Sequence, residues 1–297
     1  SIQYSILSLL WVLLGGAGTV LGPFVGTLVM FYLIDLSGGV TSATLLLAAL
    51  IPAVGYLLLR HLLAPLDAAA VAATYGSVSA VTFITSVQFL DTQNIAYSGH
   101  MSAAMAVMES PAILLAVLWV NSIRSHTNPT SASQHGLKQT LHESVTDGAQ
   151  LLLLGAMLVG ILSGDRGKEM MAPFSVDLFK GMLSFFLLDM GLMAARNLPQ
   201  VQGKSPVLIG YAVLGPLMHA SLALGLAFLL QLSAGDGALL MVLAASASYI
   251  AVPAVLRYAL PEANPSVYFG MSLGVTFPLN ILLGIPLYVS LAKATLS

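Results

Sequence analysis

The chain has 297 residues, 58% of them hydrophobic and only 7% charged, with mean hydropathy +0.92 and a net charge of −2. A soluble domain carries roughly 25% charged residues, so this composition does not supply a surface built for water, and the slightly acidic balance argues against nucleic acid as a partner. Cysteine is absent, which removes disulfides, thiolate zinc sites and thiol catalysis together.

With lipid as the main solvent, every backbone polar group needs a partner inside the protein, and only helices or closed barrels provide that. The apolar runs are long and continuous rather than alternating over about ten residues, so helices are predicted. There are about ten runs, each near the ~20 residues that cross a bilayer. In chain order the spans fall at 5–20, 22–38, 41–60, 67–90 and 100–122, followed by a polar stretch at 123–147 and spans at 148–163, 173–196, 205–232, 236–259 and 266–293. The first run lacks a basic flank and a cleavage site, so it reads as a spanning helix rather than a signal peptide. The polar stretch carries Arg124, His126, a Ser/Thr/Gln-rich tract and His142-Glu143, and it reads as a cytoplasmic linker. Arg60, Arg124, Lys138, Arg196, Lys204 and Arg257 then lie inside, and Arg166, Lys168, Lys180 and Lys293 outside, the sign the positive-inside rule expects. Both termini are then extracytoplasmic in a multi-pass membrane protein.

Five spans on each side of the linker is an odd number, so two homologous halves must be inverted relative to one another, as in many secondary transporters. Three local matches support homology. Phe31-Tyr32-Leu33-Ile34-Asp35-Leu36 resembles Phe185-Phe186-Leu187-Leu188-Asp189-Met190, Ser77-Val78-Ser79 resembles Ser246-Ala247-Ser248, and Glu109-Ser110-Pro111-Ala112-Ile113 resembles Thr276-Phe277-Pro278-Leu279-Asn280. Their common order and similar offset exceed what small-residue helix packing explains. The organisation read from this is a first five-helix repeat over 1–122, the linker over 123–147 and a second, inverted repeat over 148–297.

In such folds the site lies where a helix of each repeat is broken. The fourth span places Gly76 among Thr74, Ser77, Ser79 and Thr82, and the ninth places Ser246 and Ser248 shortly before Pro253, which cannot donate and clashes with the preceding turn. Two broken helices meeting tip to tip aim dipole ends at one point, which suits a small anion held by backbone N–H groups and hydroxyls. Exposed carbonyls beside it suit Na+. Intramembrane ionisable groups are costly and functional by default. On that ground Glu109, next to Ser110-Pro111, is a candidate for the coupling cation or proton, set against a neutral carboxyl hydrogen-bonded between helices. Asp35 and Asp189 fall near helix ends and read as interfacial. His219 reads as a hydrogen-bonded polar residue rather than a ligand. The six histidines show no His-x-x-x-His spacing, and neither a metal site nor a cofactor is expected beyond a coupling ion.

Gly76-Ser77-Val78-Ser79, Glu109-Ser110-Pro111-Ala112, Ala244-Ala245-Ser246-Ala247-Ser248, the stretch Leu260-Pro261-Glu262-Ala263-Asn264-Pro265-Ser266 and Gly284 to Tyr288 together resemble the sodium-dependent bicarbonate transporters of cyanobacteria, the SbtA-like permeases. The resemblance runs from about residue 20 to 292. It implies an all-α polytopic membrane protein of about ten transmembrane helices, a 5+5 inverted repeat with two crossed broken helices, divided into core and gate domains. It also implies a homotrimer in which the core moves as an elevator and couples bicarbonate uptake to Na+, and a small PII-like protein as a regulatory partner on the cytosolic face. The matching positions are Gly76, Ser77, Val78, Ser79 and Thr82 in one repeat and Ser246, Ala247 and Ser248 in the other, and the resemblance places the chain in a bacterial inner (plasma) membrane. Thr82 is a cation-coupling candidate, joined from the residues themselves by Glu109 and Asn280, both polar groups within or near apolar spans, and by Tyr249. The chain departs from the pattern at the site: an acidic residue after the second Ser is replaced by Tyr249, a polar turn by Ile250, Ala251, Val252, Pro253 and Ala254, and small positions of the first repeat by Ala80, Val81 and Phe83. Such changes in a pocket shift selectivity by roughly 1–3 kcal/mol. The readings are therefore a Na+-coupled bicarbonate transporter, a transporter of another small carboxylate-like anion or one coupled to H+, and, from another class, an intramembrane enzyme with Asp35 and Asp189 as an acid–base dyad, which requires those carboxylates to touch.

Overall fold

The structure, a computed structural model, describes residues 40–296 except 107, 110–111, 113–114, 116–147 and 202–205. The spans expected at 5–20 and 22–38, most of that at 100–122, and the linker at 123–147 lie outside the described residues, as do Asp35, Ser110 and Pro111.

The described residues form helices joined by short turns and breaks, with α-helices α1 (Val40–Leu59), α2 (Pro65–Gly76), α3 (Ala80–Thr92), α4 (Gly148–Ala172), α5 (Phe179–Val201), α6 (Pro206–Leu229), α7 (Ala234–Ala245) and α8 (Ala251–Ala259). A last run, α9 (Pro265–Leu296), contains two π-helical turns, Ser272–Thr276 and Asn280–Gly284. Among the described residues, three continuous apolar stretches are long enough to cross a membrane: Pro65–Thr92, taken across the break between α2 and α3, then Pro206–Leu229 and Pro265–Leu296.

Three sequence expectations are refined. The fourth span is not one helix: Gly76 ends α2, Ser77 is extended (φ −100, ψ 173), and α3 starts at Ala80 behind the N-cap Ser79. The ninth span is broken too, but ahead of the place its proline suggested. Ser246 is already extended (φ −76, ψ 161), and Pro253 sits in the first turn of α8, where its missing N–H is one that no helical carbonyl could reach. The gap expected between 163 and 173 does not exist. α4 runs to Ala172, interrupted by non-helical geometry at Gly164, and passes through a π-helical turn at Pro173–Leu178 into α5.

Packing sets two apolar cores. One gathers Leu47 and Ile51 of α1, Phe83 and Leu90 of α3, Leu239 to Ala245 of α7, and Tyr288 and Val289 of α9. The other gathers the alanine-rich face of α2 with Ala212 of α6, Val252 and Leu256 of α8, and Tyr268 and Met271 of α9. Ala68 to Ala73 are wholly buried, so α2 lies close to its neighbours along its length. A third, small cluster joins Val81, Tyr249, Phe277 and Leu273 to Met190 and Ala194 of α5, which lays α5 over the two helix breaks. The outer side of α4, α5 and the turn between them exposes large apolar side chains, among them Met170, Phe174, Phe185 and Leu188, with the charged residues Asp165, Arg166, Lys168 and Glu169 gathered near the end of α4. Lipid is the medium that the apolar part of this surface fits.

Two glycines permit backbone approaches that no other residue allows. A Cβ at Gly76 would fall 2.5 Å from the Pro52 ring of α1, and one at Gly235 would fall 2.1 Å from the Ala96 carbonyl oxygen. Backbone cannot yield as a flexible side chain can. Gly235→Ala is therefore expected to lower thermal stability in detergent by about 1–3 kcal/mol, the usual cost of overpacking. Gly160→Ala, with open space around it, serves as the control and should not lower the melting temperature.

Candidate functional site

The broken ends of α2–α3 and α7–α8 cross. The Ser79 N–H donates to Ser246 Oγ at 3.0 Å, and the Ser248 N–H donates to the Thr74 carbonyl at 2.8 Å. Each break is held locally in the same manner. Ser77 N–H and Ser246 N–H close the last turns of α2 and α7 on the Ala73 and Val242 carbonyls. Ser79 Oγ accepts from the N–H and the hydroxyl of Thr82, at 3.2 and 2.9 Å, and so caps α3. Ser248 Oγ accepts from the Val252 N–H at 3.2 Å and so caps α8.

Of the anion positions named from the sequence, the structure brings Ser79, Ser246 and Ser248 into this crossing, with Gly76, Val78 and Ala247 buried beside them. Ser77 turns away, its hydroxyl donating to the Glu109 carbonyl at 3.2 Å. That bond ties Glu109 to the first break through its backbone. Thr82 is buried at the crossing. Tyr249 is buried with its ring edge-on to Phe277, centroids 5.0 Å apart, and its hydroxyl lies toward Ser79 without reaching hydrogen-bond geometry. Asn280 lies outside the crossing, where its amide donates to the Ala245 carbonyl at 2.9 Å and accepts from the Tyr288 hydroxyl at 3.0 Å. Asp189 is exposed on α5.

The backbone account leaves a set of donors unused. Among the described residues, the N–H groups of Val78, Ala80 and Val81 on one break, and of Ala247, Tyr249, Ile250 and Ala251 on the other, meet no acceptor. Val78, Val81, Ala247 and Tyr249 are buried, whereas Ala80 and Ile250 are exposed, so the crossing is reached from outside at the helix starts. An N–H without an acceptor in a low-dielectric interior costs about 1–3 kcal/mol. The N-terminal ends of α3 and α8 add partial positive charge to the same region, and the segment from Gly76 to Thr82 and that from Ser246 to Pro253 contain no acidic or basic side chain. The carbonyl account is unequal. The Tyr75 and Gly76 carbonyls at the end of α2 accept nothing among the described residues, whereas at the end of α7 Val242 accepts from Ser246 N–H, Leu243 from Ser246 Oγ at 2.9 Å, Ala244 faces the His219 ring and Ala245 takes the Asn280 amide. His219 was expected to be fully hydrogen-bonded, but its Nδ1 has no partner.

Two features of the site's support were not picked out from the sequence. Asp67, in the first turn of α2, accepts from the Asn264 N–H at 2.7 Å. Asp236, in the first turn of α7, accepts from the Ser98 N–H at 2.7 Å, the Ser98 hydroxyl at 2.8 Å and the Ser233 hydroxyl at 2.9 Å. Each acid thus anchors the start of one broken helix to a loop near the other. Asp67 and Asp236 are 169 positions apart (236 − 67), as are Ser77 and Ser246 and also Ser79 and Ser248. The signal was available as an acid at the third position of each helix, three residues after an N-cap, but its partners are remote in sequence.

Apolar stretches of spanning length, together with two helix breaks crossed at buried serines, fit a polytopic membrane protein of the transporter class. The match to the Na+-dependent bicarbonate transporter superfamily covers residues 35–293, and the chain belongs to that superfamily. No curated protein matches the chain.

Proposed function

We propose that the chain is a secondary transporter that takes up a small anion, with Na+-coupled bicarbonate uptake by an elevator mechanism as the leading reading. The observation that carries it is the crossing itself, where unused backbone N–H groups from two helix starts converge with the Ser79 and Ser248 hydroxyls and no basic side chain competes. Bicarbonate is small, singly charged and rich in acceptors, and such donors can replace its water shell without a fixed countercharge that would hold it too tightly to release. Gly76, Ser77, Val78, Ser79, Ser246, Ala247 and Ser248 form the anion site in this reading. The unused Tyr75 and Gly76 carbonyls, with the Thr82 hydroxyl, offer oxygens for Na+, and Glu109 and Tyr249 are the further cation-coupling candidates.

The common 169-residue spacing of Asp67 with Asp236, and of each break serine with its counterpart, supports a 5+5 inverted repeat over 1–122 and 148–297, with core and gate domains and a cytoplasmic linker between the halves. Assembly as a homotrimer in a bacterial inner membrane and control by a PII-like protein belong to the same proposal. Transporters rather than enzymes make up the superfamily, which leaves the Asp35–Asp189 dyad without support.

A second reading keeps the mechanism and changes the solute or the coupling ion. Tyr249 favours it, because a buried hydroxyl without a partner at the crossing offers a donor to a larger carboxylate. Uptake of labelled bicarbonate into proteoliposomes, with and without an inward Na+ gradient and against protein-free vesicles, separates the two. Protein- and Na+-dependent accumulation is expected. Its absence from folded protein, together with accumulation of a small carboxylate under a Na+ or H+ gradient, establishes the second reading instead.

A further inference from the structure

The unequal treatment of the two half-helix ends assigns a role to Asn280 that differs from cation binding. A helix leaves its last four carbonyls without intrahelical partners. At the end of α7 three of the four accept a hydrogen bond, two from Ser246 in the same chain segment and one from a neighbouring helix, the Asn280 amide of α9, while the fourth, on Ala244, lies toward the His219 ring of α6. At the end of α2, two carbonyls face none among the described residues. The tethers at α7 therefore fix one broken end against its surroundings.

Asn280 is suited to that task by its own fixation. It is buried, and an amide in that position could turn over and present its oxygen to the Ala245 carbonyl, which would repel it. The Ala245 carbonyl, which can only accept, selects the orientation that turns Nδ2 toward it, and the Tyr288 hydroxyl adds to that orientation by donating to Oδ1 at 3.0 Å. The π-helical turn Asn280–Gly284 starts at this residue, and Pro286 lies just beyond it. Pro286 has no N–H for the carbonyl one turn back, so the widened turn there is a natural accommodation. Tyr288 and Asn280, eight residues apart, are thereby kept on one face of α9 toward α7.

We propose that Asn280, supported by Tyr288, is a positioning residue that holds the end of α7, and through it Ser246 to Ser248, in register with Ser79. It acts as a hydrogen-bond donor and not as a ligand of the coupling cation. The inference rests on the crossing being the transport site, but its central test does not depend on transport.

Asn280→Asp distinguishes the roles. A carboxylate keeps and strengthens an oxygen ligand for a cation but, when ionised, cannot donate to Ala245. Amide hydrogen exchange of the purified protein in detergent, read on peptides covering 245–252, is expected to quicken on the order of tenfold in Asn280→Asp and Asn280→Ala alike, because both leave a buried carbonyl unpaired. Tyr288→Phe, which does not touch the crossing, should move the same peptides in the same direction by less. Unchanged exchange in all three variants overturns the tether. Where wild-type uptake is Na+-dependent, the half-saturating Na+ concentration should rise as much in Asn280→Asp as in Asn280→Ala. A value for Asn280→Asp equal to or below wild type overturns the donor role and returns Asn280 to the cation site. Failure of wild-type protein to transport bicarbonate bears on the substrate alone, since the exchange result stands without it.

Discussion

Ser79→Ala is expected to lower the initial rate of anion uptake into proteoliposomes by about tenfold or more, with the protein still folded. The Ser79 hydroxyl does two things at once. Its oxygen accepts both the N–H and the hydroxyl of Thr82, which fixes the first turn of α3, while its own proton remains to be given to an anion. Removing an N-cap costs about 1 kcal/mol of helix stability, and a buried N–H left without an acceptor costs about 1–3 kcal/mol. A tenfold effect corresponds to roughly 1.4 kcal/mol, so the loss of either function at the site is enough to be seen. Ser79→Thr keeps the oxygen and should recover part of the rate. The Ser79 backbone N–H, which reaches Ser246 Oγ, is untouched by either substitution, so the crossing persists. Wild-type uptake by a folded Ser79→Ala protein would remove the crossing from the transport path. The comparison with Ser248→Ala is informative, because Ser248 Oγ accepts one bond rather than two and its loss should cost less stability.

Asp236→Ala is expected to have the largest effect on stability of any single side-chain truncation at the broken helices. Asp236 is buried, and its two carboxylate oxygens take three donors, two from Ser98 on the loop that follows α3 and one from Ser233 at the start of its own helix. Hydrogen bonds to a charged acceptor are worth about 1.5–3 kcal/mol each and are not additive, so a loss of roughly 3 kcal/mol is expected. For domains of 150–250 residues about 2–4 °C of melting temperature follows each kcal/mol, which places the drop at roughly 6–12 °C. Thermal unfolding in detergent measures it. Asp236→Asn retains one acceptor oxygen for the Ser98 N–H and should lie between wild type and Ala. Asp67→Ala provides the internal comparison: its bond to the Asn264 N–H is more exposed, and water can replace it. A drop for Asp67→Ala as large as that for Asp236→Ala would show that charge near the helix start, and not the buried bonds, sets the stability.

Composition and hydropathy alone determined that this chain is helical and meets lipid, because the requirement to pair backbone groups in an apolar solvent acts on any run of apolar residues whatever it packs against. The same local logic located the two interruptions. Gly76 with its neighbouring hydroxyls, and the two serines before Pro253, read as weak points in otherwise apolar helices, since glycine, serine and proline each act on the turn they occupy. Even there the reading was coarse. Pro253 suggested a break at itself, whereas the chain breaks at Ser246 and uses Pro253 to begin the next helix, where a missing N–H costs nothing.

Partnerships across the structure were decided by tertiary packing. Nothing near Asp236 in the sequence points to Ser98, 138 residues away, and nothing near Asp67 points to Asn264, 197 residues away. Asn280 carried the same intramembrane polar signal as Glu109, but its amide meets the Ala245 carbonyl because the packing of α9 against α7 brings it there, with the Tyr288 hydroxyl on its oxygen. A hydrophobic run fixes that a helix exists, and its rotation and depth against other helices fix which polar atoms meet. Those two quantities follow from the packed alanines of α2 and α7 and from close approaches such as Gly76 against Pro52, which only the folded chain brings together.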